Sequence, residues 1–144
     1  MAKTHELIYE LDTLDAVAEE LFFLLPDCAV MTFSGTLGAG KTTLIRALLK
    51  QVGIEEEYIQ SPTFTYLVPY TNASGQTFYH FDLYRLKNTS DFTDAGFHEY
   101  LYELKSWCLI EWPDIVFPLL KDCVCFIDID YYGENRRRLR YEIR

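Results

Sequence analysis

The chain has 144 residues, of which 49% are hydrophobic and 16% aromatic, and its formal net charge is −9. This composition excludes an intrinsically disordered chain and predicts a single domain, residues 1–144, with a substantial core. No apolar run is long enough to cross a bilayer, and an acidic surface repels nucleic acid, so we expect any action on RNA to go through a partner.

The first predicted elements are a helix, a strand and a second helix. Residues 14–25 carry apolar side chains at helical spacing, and Thr13 before them suits an N-cap. The apolar run at residues 29–33 predicts a strand. A helix is expected from Thr42 to Gly53, because glycine commonly ends helices. Strand, turn and helix in this order are the setting in which a phosphate-binding loop is recognised.

The turn before the second helix carries a complete phosphate-binding motif. Residues 35–42 read G-T-L-G-A-G-K-T and match G-x-x-x-x-G-K-[ST] at every specified position. Glycines let the backbone wrap a polyphosphate, and the helix N-terminus adds its dipole and free N–H groups. Lys41 places a cation near the β- and γ-phosphates, and the Thr42 hydroxyl can ligate Mg²⁺. The motif therefore predicts binding of a nucleoside triphosphate.

The rest of the chain predicts mainly strands, with one mixed stretch at residues 91–104 that is expected to be helical around Gly96, with its aromatic side chains facing inward. The strands are expected at residues 66–70, 76–81, 107–110, 124–130 and 139–143. The first two form a hairpin and the last two an antiparallel pair. Together with the helices they predict an α/β fold of the P-loop NTPase type, in which a mainly parallel central sheet carries antiparallel hairpin additions.

Two acidic residues follow predicted strands and are candidates for a magnesium site. Asp82 follows the strand at residues 76–81, and Glu111 follows the apolar run at residues 107–110. A phosphate loop needs a carboxylate at the end of a neighbouring strand to complete the magnesium shell. Spacing alone does not decide which of the two touches the metal.

Other polar residues have both a functional and a structural interpretation. Thr63 and Thr65 could report on the γ-phosphate as a switch, or could simply favour a strand. The arginines at residues 136–138 could clamp a nucleotide, contact RNA or balance an acidic surface. His80, between two aromatic residues, is expected to be a packed or hydrogen-bonded core group rather than a catalyst.

The four cysteines indicate a reducing compartment. Cys28, Cys108, Cys123 and Cys125 are scattered, and three of them lie in apolar runs, which predicts buried free thiols. The first ten residues lack the apolar core of a signal peptide. We therefore expect a cytoplasmic protein.

Four sequence blocks together resemble the TsaE (YjeE) family. They are residues 35–43, S-P-T-F-T at 61–65, H-F-D-L-Y-R-L at 80–86 and E-W-P at 111–113, and they occur in family order over nearly the whole chain. The resemblance implies a bacterial ATPase subunit that supports threonylcarbamoyladenosine formation beside the anticodon of tRNA. The resemblance further implies that a TsaD-like protein with a TsaB-like partner performs the transfer. ATP hydrolysis is then expected to be weak alone, to be stimulated by these partners and to reset the complex, with tRNA contacted only indirectly.

The resemblance also implies roles for single residues. Lys41 and the loop backbone would hold the phosphates of ATP, while Thr42 and Glu111 would ligate Mg²⁺. Asp82 would act on the metal through water or orient the attacking water, and Thr63 matches the switch threonine. The implied nucleotide-binding set, in which the first and last members flank adenine and ribose, is Thr13, Leu37, Gly38, Ala39, Gly40, Lys41, Thr42, Thr43 and Arg136.

Two other function classes stay open at this point. A small-molecule kinase would need an acceptor pocket and an arginine-bearing lid, for which residues 136–138 are the candidate. A non-enzymatic binding module would use the same loop without turnover. Transfer of phosphate to nucleosides or sugars distinguishes the first from an ATPase, and phosphate release in the presence of the partners distinguishes the second.

Overall fold

A computed structural model describes residues 3–144, and these form one sheet with helices on its two faces. The strands are β1 (His5–Glu10), β2 (Val30–Ser34), β3 (Leu67–Thr71), β4 (Thr77–Asp82), β5 (Ser106–Glu111), β6 (Val124–Tyr131) and β7 (Arg136–Ile143). The α-helices are α1 (Leu14–Leu24), α2 (Lys41–Gln51) and α3 (Thr89–Asp94). Short 3₁₀ segments lie at Leu11–Thr13, Leu25–Asp27, Glu56–Tyr58, Phe97–Tyr100 and Pro113–Leu119.

The sheet has a parallel centre and antiparallel flanks. Its strand order is β1-β7-β6-β2-β5-β4-β3. Strands β6, β2, β5 and β4 run parallel to their neighbours in this group, whereas β3 is antiparallel to β4, and β7 is antiparallel to both β6 and β1. The predicted α/β fold, with a mainly parallel centre and antiparallel additions, is confirmed.

The core lies on both faces of the central strands. On one face, α1 and α2 pack against residues such as Met31 and Leu109. On the other, α3 and the neighbouring 3₁₀ segments pack against Val30 and Ile110. Both faces of β2 are therefore covered, which is why its sequence is a continuous apolar run rather than an alternating one.

Strand β1 was not predicted from the sequence. Leu7 and Tyr9 point into the core, while Ile8 on the other side is 47% exposed. Three successive apolar residues hide the alternation that marks a half-buried strand. The strand is fixed by pairing with β7, from the far end of the sequence, where Tyr9 lies opposite Arg137. Local pattern cannot reveal such a partner.

The stretch at residues 91–104 is partly helical around Gly96, as predicted, but Gly96 divides it into two segments. Helix α3 ends at Asp94, and Gly96 has a left-handed φ of 81° that starts the separate 3₁₀ segment Phe97–Tyr100. A reversal of this kind suits glycine, because the conformation strains other residues. The aromatic side chains face inward as expected, with Phe92 and Phe97 each 5.7 Å from Phe81 between ring centroids.

Two smaller features complete the fold. Cys28, Cys108 and Cys125 are buried free thiols, as predicted, while Cys123 is exposed. Within residues 3–144, no helix combines the length and the apolar character that crossing a membrane requires.

Candidate nucleotide-binding site

The phosphate-binding motif connects β2 to α2 through a loop that only glycine can form at two points. Gly35 has a φ of 153°, and a Cβ atom there would collide with the main-chain carbonyl of Ile129 on β6. Gly40 has a φ of 105° and directly precedes α2, which begins at Lys41, one residue earlier than predicted. The loop is therefore pressed against β6 and turns sharply into the helix. Its N–H groups lie at the helix N-terminus, where anions bind.

Lys41 is folded back over this loop and is 5% exposed. Its ammonium group donates hydrogen bonds to the carbonyls of Gly35 and, at 3.1 Å, Thr36. The same group lies 3.8 Å from the centroid of the Trp112 ring. Burial lowers the pKa of Lys41, and the nearby charges of Glu111 and Asp82 act against that shift. The lysine cation is thus held by carbonyl dipoles and an aromatic face, both weaker partners than a phosphate.

Glu111 is the most firmly held acid of the site. It ends β5, is 2% exposed, and each of its carboxylate oxygens has a partner. The Thr42 hydroxyl donates to Oε1 at 2.7 Å, and Nε2 of His80 lies 2.7 Å from Oε2. These contacts join the first turn of α2 to the ends of two parallel strands, since β4 and β5 are paired in register.

Asp82 lies beside Glu111, because these two residues are opposite each other at the ends of β4 and β5. Its Oδ1 accepts a hydrogen bond from the main-chain N–H of Tyr84 at 3.1 Å. Burial raises the pKa of Asp82, and the Tyr84 hydrogen bond opposes this while the charge of Glu111 adds to it. Asp82 is less buried than Glu111, and its other carboxylate oxygen is not engaged by Tyr84.

A cavity of about 390 Å³ lies between the loop, the two acids and the segment before β3. Thr63 lines it, with its hydroxyl 2.7 Å from that of Ser61, whereas Thr65 is exposed and lies away from it. The cavity brings together most of the residues predicted from the sequence, namely Leu37, Gly38, Gly40, Lys41, Thr42, Thr43, Thr63, Asp82 and Glu111. It also contains Trp112, which the sequence analysis did not single out although it belongs to the E-W-P block.

A second cavity, of about 290 Å³, lies on the other side of the loop and is lined by Ala39. Thr13 is not in its lining: the side chain of Thr13 is exposed and hydrogen-bonds the backbone of Glu10, with distances of 3.0 and 3.1 Å. The exposed Arg136 stacks over the Tyr132 ring, with its guanidinium 5.0 Å from the centroid. The structure thus places these two predicted residues next in sequence to lining residues, Leu14 and Arg137, but not in the cavity wall.

Arg137 is a wall residue of the second cavity that the sequence analysis did not choose. Its Nε donates to the carbonyl of Ala39 at 3.1 Å, and its guanidinium lies 4.2 Å from the centroid of the Tyr131 ring. Side chains alternate along β7, so Arg137 shares the face of the buried Leu139, and Arg136 takes the other face. That period-two pattern was the signal that could have separated the two arginines.

The oxygen donors of the first cavity fit Mg²⁺. They are one hydroxyl and two carboxylates, from Thr42, Glu111 and Asp82, and hard oxygen ligands suit this ion. Among residues 3–144 there is no cluster of three or more acidic, histidine or cysteine side chains that could enclose a metal by itself. Magnesium sites commonly combine one or two carboxylates with substrate phosphates.

Comparison with known protein families gives a match over nearly the whole chain. The family model described as threonylcarbamoyl adenosine biosynthesis protein TsaE matches residues 8–139. This range includes the phosphate-binding loop between the two cavities and both acidic residues, Asp82 and Glu111. The chain belongs to the TsaE family. The family resemblance read from the four sequence blocks is thereby confirmed.

Individual relatives of this TsaE-family chain agree. It is 39% identical over 120 residues to a protein of Haemophilus influenzae, covering 83% of this chain and 74% of that one. It is 37% identical over 116 residues to a protein of Treponema pallidum, covering 81% and 83%. Both relatives are named tRNA threonylcarbamoyladenosine biosynthesis protein TsaE.

A solved structure supports the fold of this TsaE-family chain. The crystal structure of YdiB from Bacillus subtilis superimposes with a TM-score of 0.72 and 26% sequence identity. The superposition covers 99% of this chain and 87% of YdiB. The P-loop fold predicted from the motif is therefore confirmed.

Proposed function

We propose that this chain is a Mg²⁺-dependent ATPase that supports threonylcarbamoyladenosine modification of tRNA beside the anticodon. Membership of the TsaE family and the names of the relatives support the pathway. The ATPase activity is inferred from one observation: Lys41, Thr42 and Glu111 line the same cavity, and the Thr42 hydroxyl donates a 2.7 Å hydrogen bond to the Glu111 carboxylate. A loop that served only as a glycine turn would have no need of a buried acid at this place.

The phosphates of ATP would lie along the loop backbone from Leu37 to Thr42, with Thr43 in the next helical turn. Lys41 would exchange its carbonyl contacts for phosphate oxygens, which are stronger acceptors for an ammonium group. The base and ribose would occupy the second cavity, where Arg137 and the apolar residue Leu11 form part of the wall. Thr13 and Arg136 stay predictions as residues flanking them.

Thr42 and Glu111 would hold the metal ion, because their oxygens already face each other and are both in the cavity. Bound Mg²⁺ would supply positive charge that neutralises the phosphate oxygens during hydrolysis. Asp82, at the same sheet edge, would accept a hydrogen bond from the attacking water and so orient it. Thr63 would respond to the γ-phosphate, since it lines the same cavity from a different segment.

The proposal includes TsaD-like and TsaB-like proteins as partners and a cytoplasmic location. Large apolar side chains stand exposed at the first cavity, with Leu37 exposed by 72% and Tyr84 by 59%, and nearby Phe64 by 76%. Such side chains commonly mark a surface that another protein covers. The net charge of −9 favours indirect contact with tRNA through those partners. The buried free thiols fit a reducing compartment.

Phosphate release measured with and without a TsaB–TsaD pair tests this proposal. We expect slow release by the chain alone, faster release with the pair, and loss of the stimulated rate in Lys41→Ala and Glu111→Ala. An unchanged stimulated rate in both variants would show that the site is wrongly assigned. Phosphate transfer to a nucleoside or sugar would identify a small-molecule kinase instead, and nucleotide binding without release would identify a binding module.

A further inference from the structure

His80 is a polar side chain in a position that sheet geometry assigns to the core. It lies in the middle of β4, where alternate residues face α2, and its neighbour on that face, Phe78, belongs to the main core. Its side chain is entirely buried. An apolar residue would fill this position without the cost of removing polar atoms from water. The presence of histidine here therefore calls for an explanation.

The two ring nitrogens of His80 have unequal surroundings. Nε2 lies 2.7 Å from Oε2 of the Glu111 carboxylate, and because a carboxylate only accepts, Nε2 carries the hydrogen of this contact. Nδ1 is buried, and no residue of the described range 3–144 forms a hydrogen bond with it. A buried nitrogen without a partner is costly and uncommon in folded proteins. His80 thus forms one hydrogen bond, from Nε2 to Glu111, while Nδ1 has no partner among the described residues.

That one contact determines how the Glu111 carboxylate is turned. A carboxylate can rotate about the bond to its carbon chain, which would exchange or misdirect its two oxygens. With Oε2 bonded to His80 and Oε1 bonded to Thr42, both at 2.7 Å, rotation breaks two hydrogen bonds in a buried place. His80 and Thr42 together leave this carboxylate one orientation.

We propose that His80 is a positioning residue for the metal site, because its Nε2–H holds Oε2 of Glu111 and thereby keeps Oε1 directed at Thr42 and the cavity. The inference rests on the proposed function, in which Thr42 and Glu111 hold Mg²⁺. Ligand carboxylates in metal proteins are commonly oriented by a further hydrogen bond of this kind, and its loss weakens metal binding. His80 touches neither nucleotide nor metal and acts only through Glu111.

Three substitutions of His80 test whether it positions Glu111 or only fills space in the core. His80→Gln keeps a donor, because the glutamine amide nitrogen can reach the place of Nε2. His80→Phe keeps a ring in the core and removes the donor. His80→Asn keeps a polar group but is too short to reach Oε2, so it serves if the phenylalanine variant does not fold. Phe78→Leu, on the same strand and face, controls for a general loss of packing.

The experiment is calorimetric titration of each variant with a non-hydrolysable ATP analogue, once with Mg²⁺ and once with EDTA. The ratio of the two dissociation constants measures how strongly metal and nucleotide binding are coupled. We expect this ratio to fall about tenfold or more in His80→Phe and His80→Asn. The affinity in EDTA stays the same, and His80→Gln and Phe78→Leu keep the ratio of the unaltered chain.

The possible outcomes separate this inference from the proposed function. An unchanged ratio in His80→Phe and His80→Asn overturns the positioning role and leaves the metal site standing. A loss of affinity in EDTA equal to that in Mg²⁺ also overturns it, since His80 would then act only on packing. If Mg²⁺ has no effect on the analogue's affinity for the unaltered chain, the proposed metal site fails and this inference fails with it.

Discussion

The two sides of the phosphate loop are built in different ways. On the side of the first cavity, where the proposed function puts the metal (the metal side), the carboxylate of Glu111 is buried and held by two hydrogen bonds of 2.7 Å. On the side of the second cavity, where it puts the base (the base side), Thr13 and Arg136 are exposed, whereas Arg137 donates one 3.1 Å hydrogen bond to the carbonyl of Ala39 in the loop. The proposed chemistry requires fixed atoms around phosphate and metal, whereas recognition of a base tolerates a more open wall.

The substitution Glu111→Gln, on the metal side, should have the largest effect. The amide keeps the size of the side chain but replaces one oxygen, so either Thr42 or His80 loses its acceptor and the metal loses a charged ligand. We expect the partner-stimulated rate of phosphate release to fall at least about a hundredfold. Glu99→Gln, at an exposed site on the 3₁₀ segment Phe97–Tyr100, is the matched control and should keep the full rate. A Glu111→Gln variant that retained full activity would contradict the metal role.

Arg137→Ala should break the base side with a smaller effect. It removes a charged donor from the Ala39 carbonyl and part of the wall of the second cavity. We expect about a tenfold weaker affinity for the non-hydrolysable ATP analogue in calorimetry, the size typical of one charged hydrogen bond. Arg136→Ala is the comparison, and it should change the affinity less because its side chain is exposed. The opposite ranking would show that Arg136 is the nucleotide contact.

Thr63→Ala should reduce the affinity for a triphosphate but not for a diphosphate. If Thr63 contacts the γ-phosphate, its loss lowers the affinity for the ATP analogue about fivefold, the value of one ordinary hydrogen bond, and leaves the affinity for ADP unchanged. Fluorescence or calorimetric titration with both nucleotides measures the two constants. Thr65→Ala is a suitable control, since that residue is exposed and outside the cavity. An equal loss of affinity for both nucleotides would contradict the proposed role of Thr63 as a switch.

The smallest expected effect concerns stability, through Asp82→Asn. Burial raises the pKa of Asp82 in the folded chain, so the fold favours the protonated acid and is destabilised as pH rises through that pKa. The asparagine oxygen can still accept the Tyr84 hydrogen bond. We expect the variant to unfold at a slightly higher urea concentration than the unaltered chain at pH 7, and the gain to vanish below the pKa of an unfolded aspartate, about 4. The same gain at pH 3 would show a cause other than ionisation.

The sequence predicted the residues that line the first cavity better than those that line the second, for a physical reason. Lys41 and Thr42 belong to one contiguous motif whose chemistry fixes each residue type, and Glu111 follows an unmistakable apolar run. The base side needs β1 and β7 to pair, a contact between distant segments that no local pattern reports. Arg136 and Arg137 are identical in type, and only their opposite faces on β7 distinguish them.

His80 shows a second limit of sequence reasoning. A histidine between aromatic residues was expected to be a packed or hydrogen-bonded core group, and that expectation is confirmed by its burial and its contact with Glu111. The identity of the hydrogen-bond partner could not be predicted, because it depends on the register between β4 and β5. Alternation along β4 does place His80 and Asp82 on one face, and this was the available signal.

The pairing of β1 with β7 has a consequence for the order in which the protein becomes functional. Of the seven strands, β1 leaves the ribosome first and β7 last, and they lie side by side in the sheet. Until β7 emerges, Tyr9 has no strand to pair with, and the Ala39 carbonyl lacks the guanidinium of Arg137. Contacts between such distant segments form late, because a long loop must close first. An incomplete nascent chain therefore lacks part of the wall of the second cavity, which is complete only once synthesis has passed β7.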